Sequence, residues 1–290
     1  MDYGMIKRLN LVNSEGTEIR YYLTRYSDGQ IDINLSGRID VEDEVEIVAR
    51  INSYEDLILV VTAADAVRRT MPGVKLHLNT PCMYGQRGDR PVTANLRDGH
   101  SALPLKIITD IINSVGFESV VIMSPHSDVL PALLNNCIVA SVNRLYSWAF
   151  DAIEQENPGS DFFIVSPDAG AYKWVTGVAE TFKKEVIPCI KRRGKDGEPK
   201  VTVAVPLMMT TLSNTVITIV DDYCDGGRTF VSIAKNLKTN YGVKKVYLVV
   251  THALFSYGVE ALEGIDRIYC TNSIKNMPSN NGKVAQLSVI

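Results

Sequence analysis

The sequence predicts an α/β protein built from two similar domains, each a mainly parallel sheet flanked by helices. Three observations carry this. Short β-branched runs alternate with longer amphipathic stretches along most of the chain, the mark of strand–helix–strand units. The alternation restarts near residue 145, and 290 residues are enough to bury two cores. The halves also share an echo, in which residues 119–123 run into His126 much as residues 246–250 run into His252.

Ser53 is placed to cap a helix whose third position, Asp56, suits the dipole; an apolar stretch over 57–67 follows, and Pro72-Gly73 stops it. Val74, Leu76 and Leu78 alternate with Lys75, His77 and Asn79, which predicts a half-buried strand. Ile107, Ile108, Ile111, Ile112 and Val115 recur at helical spacing, with Gly116 positioned to end the helix in a left-handed turn. A strand over 119–123 and a helix over 143–156 complete domain 1–145 and open domain 146–290, with Asn157-Pro158-Gly159-Ser160 as the turn cluster. The second domain continues with a strand over 162–166, a helix over 172–182 and a strand over 186–190. A polar stretch over 191–200 is expected to be a mobile loop. Strands over 201–205 and 215–220, a helix over 229–239 and a strand over 245–251 follow. Trp148 and Trp174 fall on helices, where a core or interface role is the default.

Composition narrows the function classes. With 46% hydrophobic and 22% charged residues the chain is neither disordered nor low in complexity, and a net charge of −3 supplies no global field for nucleic acid or anionic lipid. The apolar runs are too short to span a bilayer: 57–61 is followed by Thr62 and Asp65, and 215–220 ends on two aspartates. Met1-Asp2-Tyr3-Gly4 lacks the basic start and apolar core of a secretory signal, so a cytoplasmic location is expected. Five scattered cysteines without CxxC spacing fit reduced thiols and imply no structural metal.

The chemistry concentrates in one segment. An apolar run over 215–220 delivers Asp221 and Asp222, and Asp225-Gly226-Gly227-Arg228-Thr229 then opens a helix. Ligands of open α/β sheets bind beyond the carboxyl ends of the strands, where glycines let backbone N–H groups and a helix N-terminus close on a phosphate. Two carboxylates there suit sugar hydroxyls or a hydrated metal, so the set fits a sugar phosphate. Taken alone, the segment also reads as a strand with an acidic turn; it carries neither a Walker loop nor a dinucleotide fingerprint. It resembles the phosphoribosyl-diphosphate motif of phosphoribosyltransferases and ribose-phosphate diphosphokinases, whose loop has the form Asp-Thr-Gly-Gly-Thr, with Arg228 standing where a glycine is usual.

Seven further segments, in order between about residue 25 and 273, resemble the ribose-phosphate diphosphokinase (PRPP synthetase) family. Each has a bland reading of its own: turn, solvated loop, packed histidine or basic surface loop. Arg25-Tyr26-Ser27-Asp28-Gly29-Gln30 looks like a family segment that reaches the adenine of ATP in a neighbouring subunit, which implies that role for Tyr26, Asp28 and Gln30. Pro81-Cys82-Met83-Tyr84-Gly85-Gln86-Arg87-Gly88-Asp89-Arg90 is similar to its ATP-binding stretch and implies that Arg87 holds phosphates, with Gly88 replacing a glutamine. Ser124-Pro125-His126-Ser127 and Ser166-Pro167-Asp168-Ala169-Gly170-Ala171 imply Mg²⁺ and ATP binding at His126 and Asp168, the carboxylate being the better direct ligand for a hard cation. Lys191-Arg192-Arg193 resembles the catalytic flexible loop, implying that Lys191 and Arg193 stabilise charge, with His126 as a third catalytic candidate. Thr251-His252-Ala253-Leu254-Phe255-Ser256 and Thr271-Asn272-Ser273-Ile274 match late family segments, while His77 and His100 take no role.

The resemblance implies two phosphoribosyltransferase-like domains, an ATP side in 1–145 and a ribose 5-phosphate site with the catalytic loop in 146–290. It implies transfer of diphosphate from Mg-ATP to the C1 hydroxyl of ribose 5-phosphate, giving 5-phosphoribosyl 1-diphosphate and AMP for nucleotide and NAD biosynthesis. Asp168, Asp221, Asp222, Asp225, Gly226, Gly227, Arg228 and Thr229 would hold the sugar phosphate. An adenine segment shared between subunits implies self-association, a dimer or larger, with neither nucleic acid nor membrane as partner. Two rivals stand beside this: a phosphoribosyltransferase that consumes the diphosphate, and a catalytically silent regulatory subunit.

Overall fold

The computed structural model describes residues 6–14, 17–36, 44–91, 101–193, 199–204, 212–213 and 215–290. Its contacts form two compact units, one running to Ala140 and including Ile290, the other Ser141–Val289. The first unit holds the strands β1 (Ile6–Asn10), β2 (Arg20–Arg25), β3 (Ile31–Ser36), β4 (Glu44–Val48), β5 (Leu76–Asn79), β6 (Ser119–Met123) and β7 (Cys137–Ala140). Its helices are α1 (Tyr54–Thr70), α2 (Pro104–Val115) and α3 (Val129–Leu133). β2 and β3 make an antiparallel hairpin, and the other five form a parallel sheet in the order β1-β4-β5-β6-β7.

Local chemistry accounts for the helices. Ser53 Oγ accepts the Asp56 N–H at 3.1 Å, while Asp56 Oδ2 accepts the Asn52 N–H and the Ser53 hydroxyl, a reciprocal cap that starts α1. Leu57, Val60, Ala63, Ala64 and Val67 then form the stripe that α1 buries against the sheet core. α2 starts with proline in its first turn and ends at Gly116, whose φ of 70° is the left-handed value.

The second unit contains α4 (Asn143–Glu156), β8 (Asp161–Ser166), α5 (Ala169–Thr181), β9 (Glu185–Arg193), β10 (Pro199–Val203) and β11 (Thr215–Cys224), then α6 (Arg228–Tyr241), β12 (Lys245–Ala253), β13 (Arg267–Thr271) and β14 (Val284–Leu287). The sheet order is β10-β9-β8-β11-β12-β13-β14, parallel except for β10. Its central strands are covered on both faces, which is why β11 reads as a continuous apolar run: Ile217 and Ile219 enter one core cluster, Val216 and Val220 the other.

Several expectations change. Residues 191–193 do not begin a loop: β9 continues through Arg193 and pairs antiparallel with β10, Lys191 opposite Val201 and Arg193 opposite Pro199. A two-stranded ribbon satisfies the backbone groups of this polar stretch, which a composition argument cannot foresee. Residues 194–198, and Val205 from the expected strand, lie outside the described residues. β11 runs four residues past Val220, α5 starts at Ala169 rather than Tyr172, and α6 extends to Tyr241. The echo pairs strands that are not equivalent. β1-β4-β5-β6-β7 and β8-β11-β12-β13-β14 share one order, so β6 answers to β13 and β12 to β5. The two sheets share a run of strands in chain order, and the echo falls on strands that take different places in that run.

Candidate active site

The extension of β11 carries the acid pair inside the strand. Asp221 lies opposite Val250 and Tyr223 opposite His252 in β12. Asp222 is 7% exposed, and its N–H donates to Asp221 Oδ1 at 2.9 Å. Burial first, then the Asp222 carboxylate, holds the Asp221 carboxyl well above the ordinary carboxylate range, with Asp168 adding to the push. The fully buried His252 places Nδ1 2.9 Å from Ser273 Oγ and stacks obliquely on Tyr223 at 6.0 Å, a packed strand-end residue. Tyr146 of α4 is also buried here; burial, with Asp221 and Asp222 nearby, raises its phenol above the usual value.

After Cys224 the chain turns through Asp225, Gly226 and Gly227 into α6. Gly227 has φ 73° and ψ 0°, a left-handed conformation at the N-cap, and no side chain caps the helix. The first-turn N–H groups of α6 thus differ from those of α1 and α5, which Ser53 and Asp168 cap. The segment after β12 closes on this loop. Leu254 and Phe255 N–H groups donate to Cys224 O at 2.9 and 3.2 Å, Ser256 N–H donates to Asp225 O at 3.2 Å, and the Ser256 hydroxyl donates to Asp225 Oδ1. The Arg228 guanidinium lies over the Tyr257 ring, 5.6 Å from its centre.

Asp168 lies two residues past the end of β8, the strand next to β11, and is the N-cap of α5. Its Oδ1 accepts the N–H groups of Gly170 and Ala171 at 2.9 and 3.1 Å, so half of this carboxylate already caps α5. The neighbouring thiol of Cys189 is pushed up to about 12 by burial and by Asp168. With Ser166 opposite Pro188, the Lys191 and Arg193 backbone lies past the carboxyl end of β8. The second unit therefore gathers Asp168, Asp221, Asp222 and the 225–229 loop at the carboxyl ends of adjacent strands.

The first unit gathers a separate set. Gln86, 2% exposed, donates from Nε2 to Cys82 Sγ at 3.5 Å and accepts the His126 N–H on Oε1 at 3.1 Å. It thereby ties the loop of Arg87 to the loop of His126, a link no local motif announces. Gly88 is explained by space: a Cβ there would stand 3.2 Å from Gly85 O and 3.6 Å from Pro104 Cδ. Tyr26, Asp28 and Gln30 occupy the exposed β2–β3 turn, where Tyr26 N–H donates to Gln30 O at 2.9 Å and Gln30 N–H to Asp28 Oδ1 at 3.1 Å. Arg25 pairs with Glu55 at the start of α1.

Oxygen donors at Asp168, Asp221 and Asp222 suit a hard divalent cation, although among the described residues no group of three His, Cys, Asp or Glu converges to enclose one. Such a donor set fits Mg²⁺ bound through one or two carboxylates, waters and substrate phosphates. The five cysteines are free thiols, and no helix among the described residues is long and apolar enough to cross a membrane.

A parallel sheet that delivers an acid pair into a glycine loop at an uncapped helix start defines a phosphoribosyltransferase-type protein. Residues 133–289, just over half of the chain, match the family described as phosphoribosyl transferase domain. The ribose-phosphate pyrophosphokinase of Aquifex aeolicus is 26% identical over 275 residues, 92% of this chain and 83% of that protein. That of Mycoplasmopsis pulmonis is 30% identical over 185 residues, covering 62% and 54% of the two chains. The phosphoribosylpyrophosphate synthetase structure from Mycobacterium smegmatis shares the fold, with a TM-score of 0.75 and 17% identity over 95% of this chain and 88% of that one. The chain belongs to the phosphoribosyl transferase domain family and, within it, to the ribose-phosphate pyrophosphokinases.

Proposed function

We propose that this enzyme transfers diphosphate from Mg-ATP to ribose 5-phosphate, making 5-phosphoribosyl 1-diphosphate and AMP. The acid pair and uncapped glycine loop at the end of β11 carry the proposal. The 5-phosphate accepts from loop and first-turn N–H groups over Asp225–Thr229, with Arg228 as a side-chain cation. Asp221 and Asp222 accept from the ring hydroxyls, a use for two carboxylates that burial otherwise penalises.

The C1 oxygen attacks the β-phosphorus and loses its proton; the bond from that phosphorus to the oxygen shared with the α-phosphorus breaks, and AMP leaves with the electron pair. Charge grows on the phosphoryl oxygens, and Lys191 and Arg193 are assigned to it, while Arg87 is assigned to the phosphates of ATP. Mg²⁺, when bound, neutralises phosphate charge, with Asp168 and His126 as its candidate holders, His126 through water. Tyr26, Asp28 and Gln30 are assigned to the adenine of ATP in a neighbouring subunit, which makes a homodimer the smallest active assembly. The first unit then serves ATP and the second the sugar phosphate, in the cytoplasm, feeding nucleotide and NAD biosynthesis.

The test is AMP formation from ATP and Mg²⁺ with and without ribose 5-phosphate, with the second product weighed by mass spectrometry. Sugar-dependent AMP together with phosphoribosyl diphosphate is expected. AMP release indifferent to the sugar, or no AMP while phosphoribosyl diphosphate still binds, would reject the assignment in favour of a transferase or a silent subunit.

A further inference from the structure

Arg228 occupies a locally unfavourable place. It is the first residue of α6, so its positive charge sits at the positive end of the helix dipole, where acidic residues are favoured. The same end has no side-chain cap, and Gly227 ahead of it is left-handed. Cation and helix start together form a field whose natural complement is an anion. Asp225, ahead of the glycines, accepts the Ser256 hydroxyl on Oδ1.

Tyr257 accounts for how the cation is kept there. The residue is 62% exposed, so burial does not explain its position. It lies against Gly226: a Cβ at that residue would meet Tyr257 Cε2 at 2.7 Å and Cδ2 at 2.9 Å, so the ring requires the glycine. The Arg228 guanidinium lies over the same ring at 5.6 Å, within cation–π range. The backbone bonds from Leu254, Phe255 and Ser256 to Cys224 and Asp225 fix the segment carrying the ring. A long arginine loses much side-chain freedom when it engages a ligand, and a partner that orders it beforehand reduces that loss.

We propose that Tyr257 is a positioning residue for the sugar-phosphate site, holding the Arg228 guanidinium over the 225–229 loop as a preset second cation for the phosphate of a phosphorylated pentose. This rests on the sugar-phosphate reading above and deepens it, by making affinity for the phosphate depend on a residue that is not in the loop.

The test is calorimetric binding of ribose 5-phosphate to the full chain and to Tyr257→Phe, Tyr257→Ala, Arg228→Gly and the double variant Tyr257→Ala/Arg228→Gly. Tyr257→Phe keeps the ring and should bind within twofold of the parent. Tyr257→Ala and Arg228→Gly should each weaken binding about tenfold, near 1.4 kcal/mol, and the double variant no further, because both remove one device. Parent-like binding by Tyr257→Ala would overturn the proposal, and so would losses that multiply to about a hundredfold in the double variant. A parent protein that makes no AMP but binds 5-phosphoribosyl 1-diphosphate would reject the functional reading alone. The same five proteins titrated with that ligand, which carries the same 5-phosphate, would still decide on Tyr257 by the same criteria.

Discussion

Gly227 offers a sharp test of how the 225–229 loop is built. Its φ of 73° is left-handed, and a Cβ on it would stand 2.1 Å from Leu262 Cδ2 and 3.3 Å from Leu262 Cγ. Gly227→Ala therefore carries two costs. A non-glycine residue in this conformation costs about 1–2 kcal/mol. Leu262 is 1% exposed, so it cannot swing into solvent, and overpacking adds about 1–3 kcal/mol. The sum is about 2–5 kcal/mol, a large part of a domain's margin. Both tryptophans, Trp148 and Trp174, lie in the second unit, so urea unfolding followed by tryptophan fluorescence reports on the unit that contains the loop. In a Leu262→Ala background the steric cost disappears and Gly227→Ala should cost only the conformational part, about 1–2 kcal/mol. A Gly227→Ala protein within about 0.5 kcal/mol of the parent, or an equal cost in both backgrounds, would refute the reasoning.

Burial raises the Asp221 carboxyl, so between the ordinary carboxylate pKa and the raised folded value the native state holds a proton that the unfolded chain has released; stability is fullest below that window and is lost as pH rises through it. Asp221→Asn should therefore unfold at higher urea than the parent at pH 8, with an advantage that shrinks on acidification toward pH 4 and with loss of ribose 5-phosphate binding; a pH-independent advantage would contradict this. Gln86→Leu should remove the part-buried bond that Gln86 Oε1 accepts from the His126 N–H and cost about 0.5–1.5 kcal/mol in a circular-dichroism melt, with a raised KM for ATP; an unchanged melt and KM would remove Gln86 from the site. Glu156 accepts from Tyr247 at 3.0 Å and from Arg267, at the far end of β12 and β13. Because that pair is partly exposed, Glu156→Ala should cost about 1–2 kcal/mol in urea unfolding and leave ligand binding intact, and a binding loss would show that the network reaches the site.

What was legible in the sequence shares one property: it is local. Ser53 and Asp56 start α1 because the cap and its partner lie within one turn, and Gly116 ends α2 because one residue supplies the left-handed turn. The acid pair and the 225–229 loop are contiguous, so one strand-to-helix junction places all of their backbone groups. The β9–β10 ribbon was not legible, because a charged run reads as solvated until an antiparallel partner accepts its backbone. Nor was the use of Asp168 as the α5 cap, since the expected helix began three residues late.

The sequence by itself determined the α/β class, the Ser53 cap of α1, the Gly116 end of α2 and the linear motif at 221–229, because hydrophobic period and backbone conformation depend on near neighbours. Tertiary structure alone decided which strands pair, that Gln86 reaches His126 across 40 residues, and that Tyr257 lies between Gly226 and Arg228. Periodicity says which face a side chain takes and nothing about what comes to meet it. For that, the sheet has to form and its connecting loops have to come together.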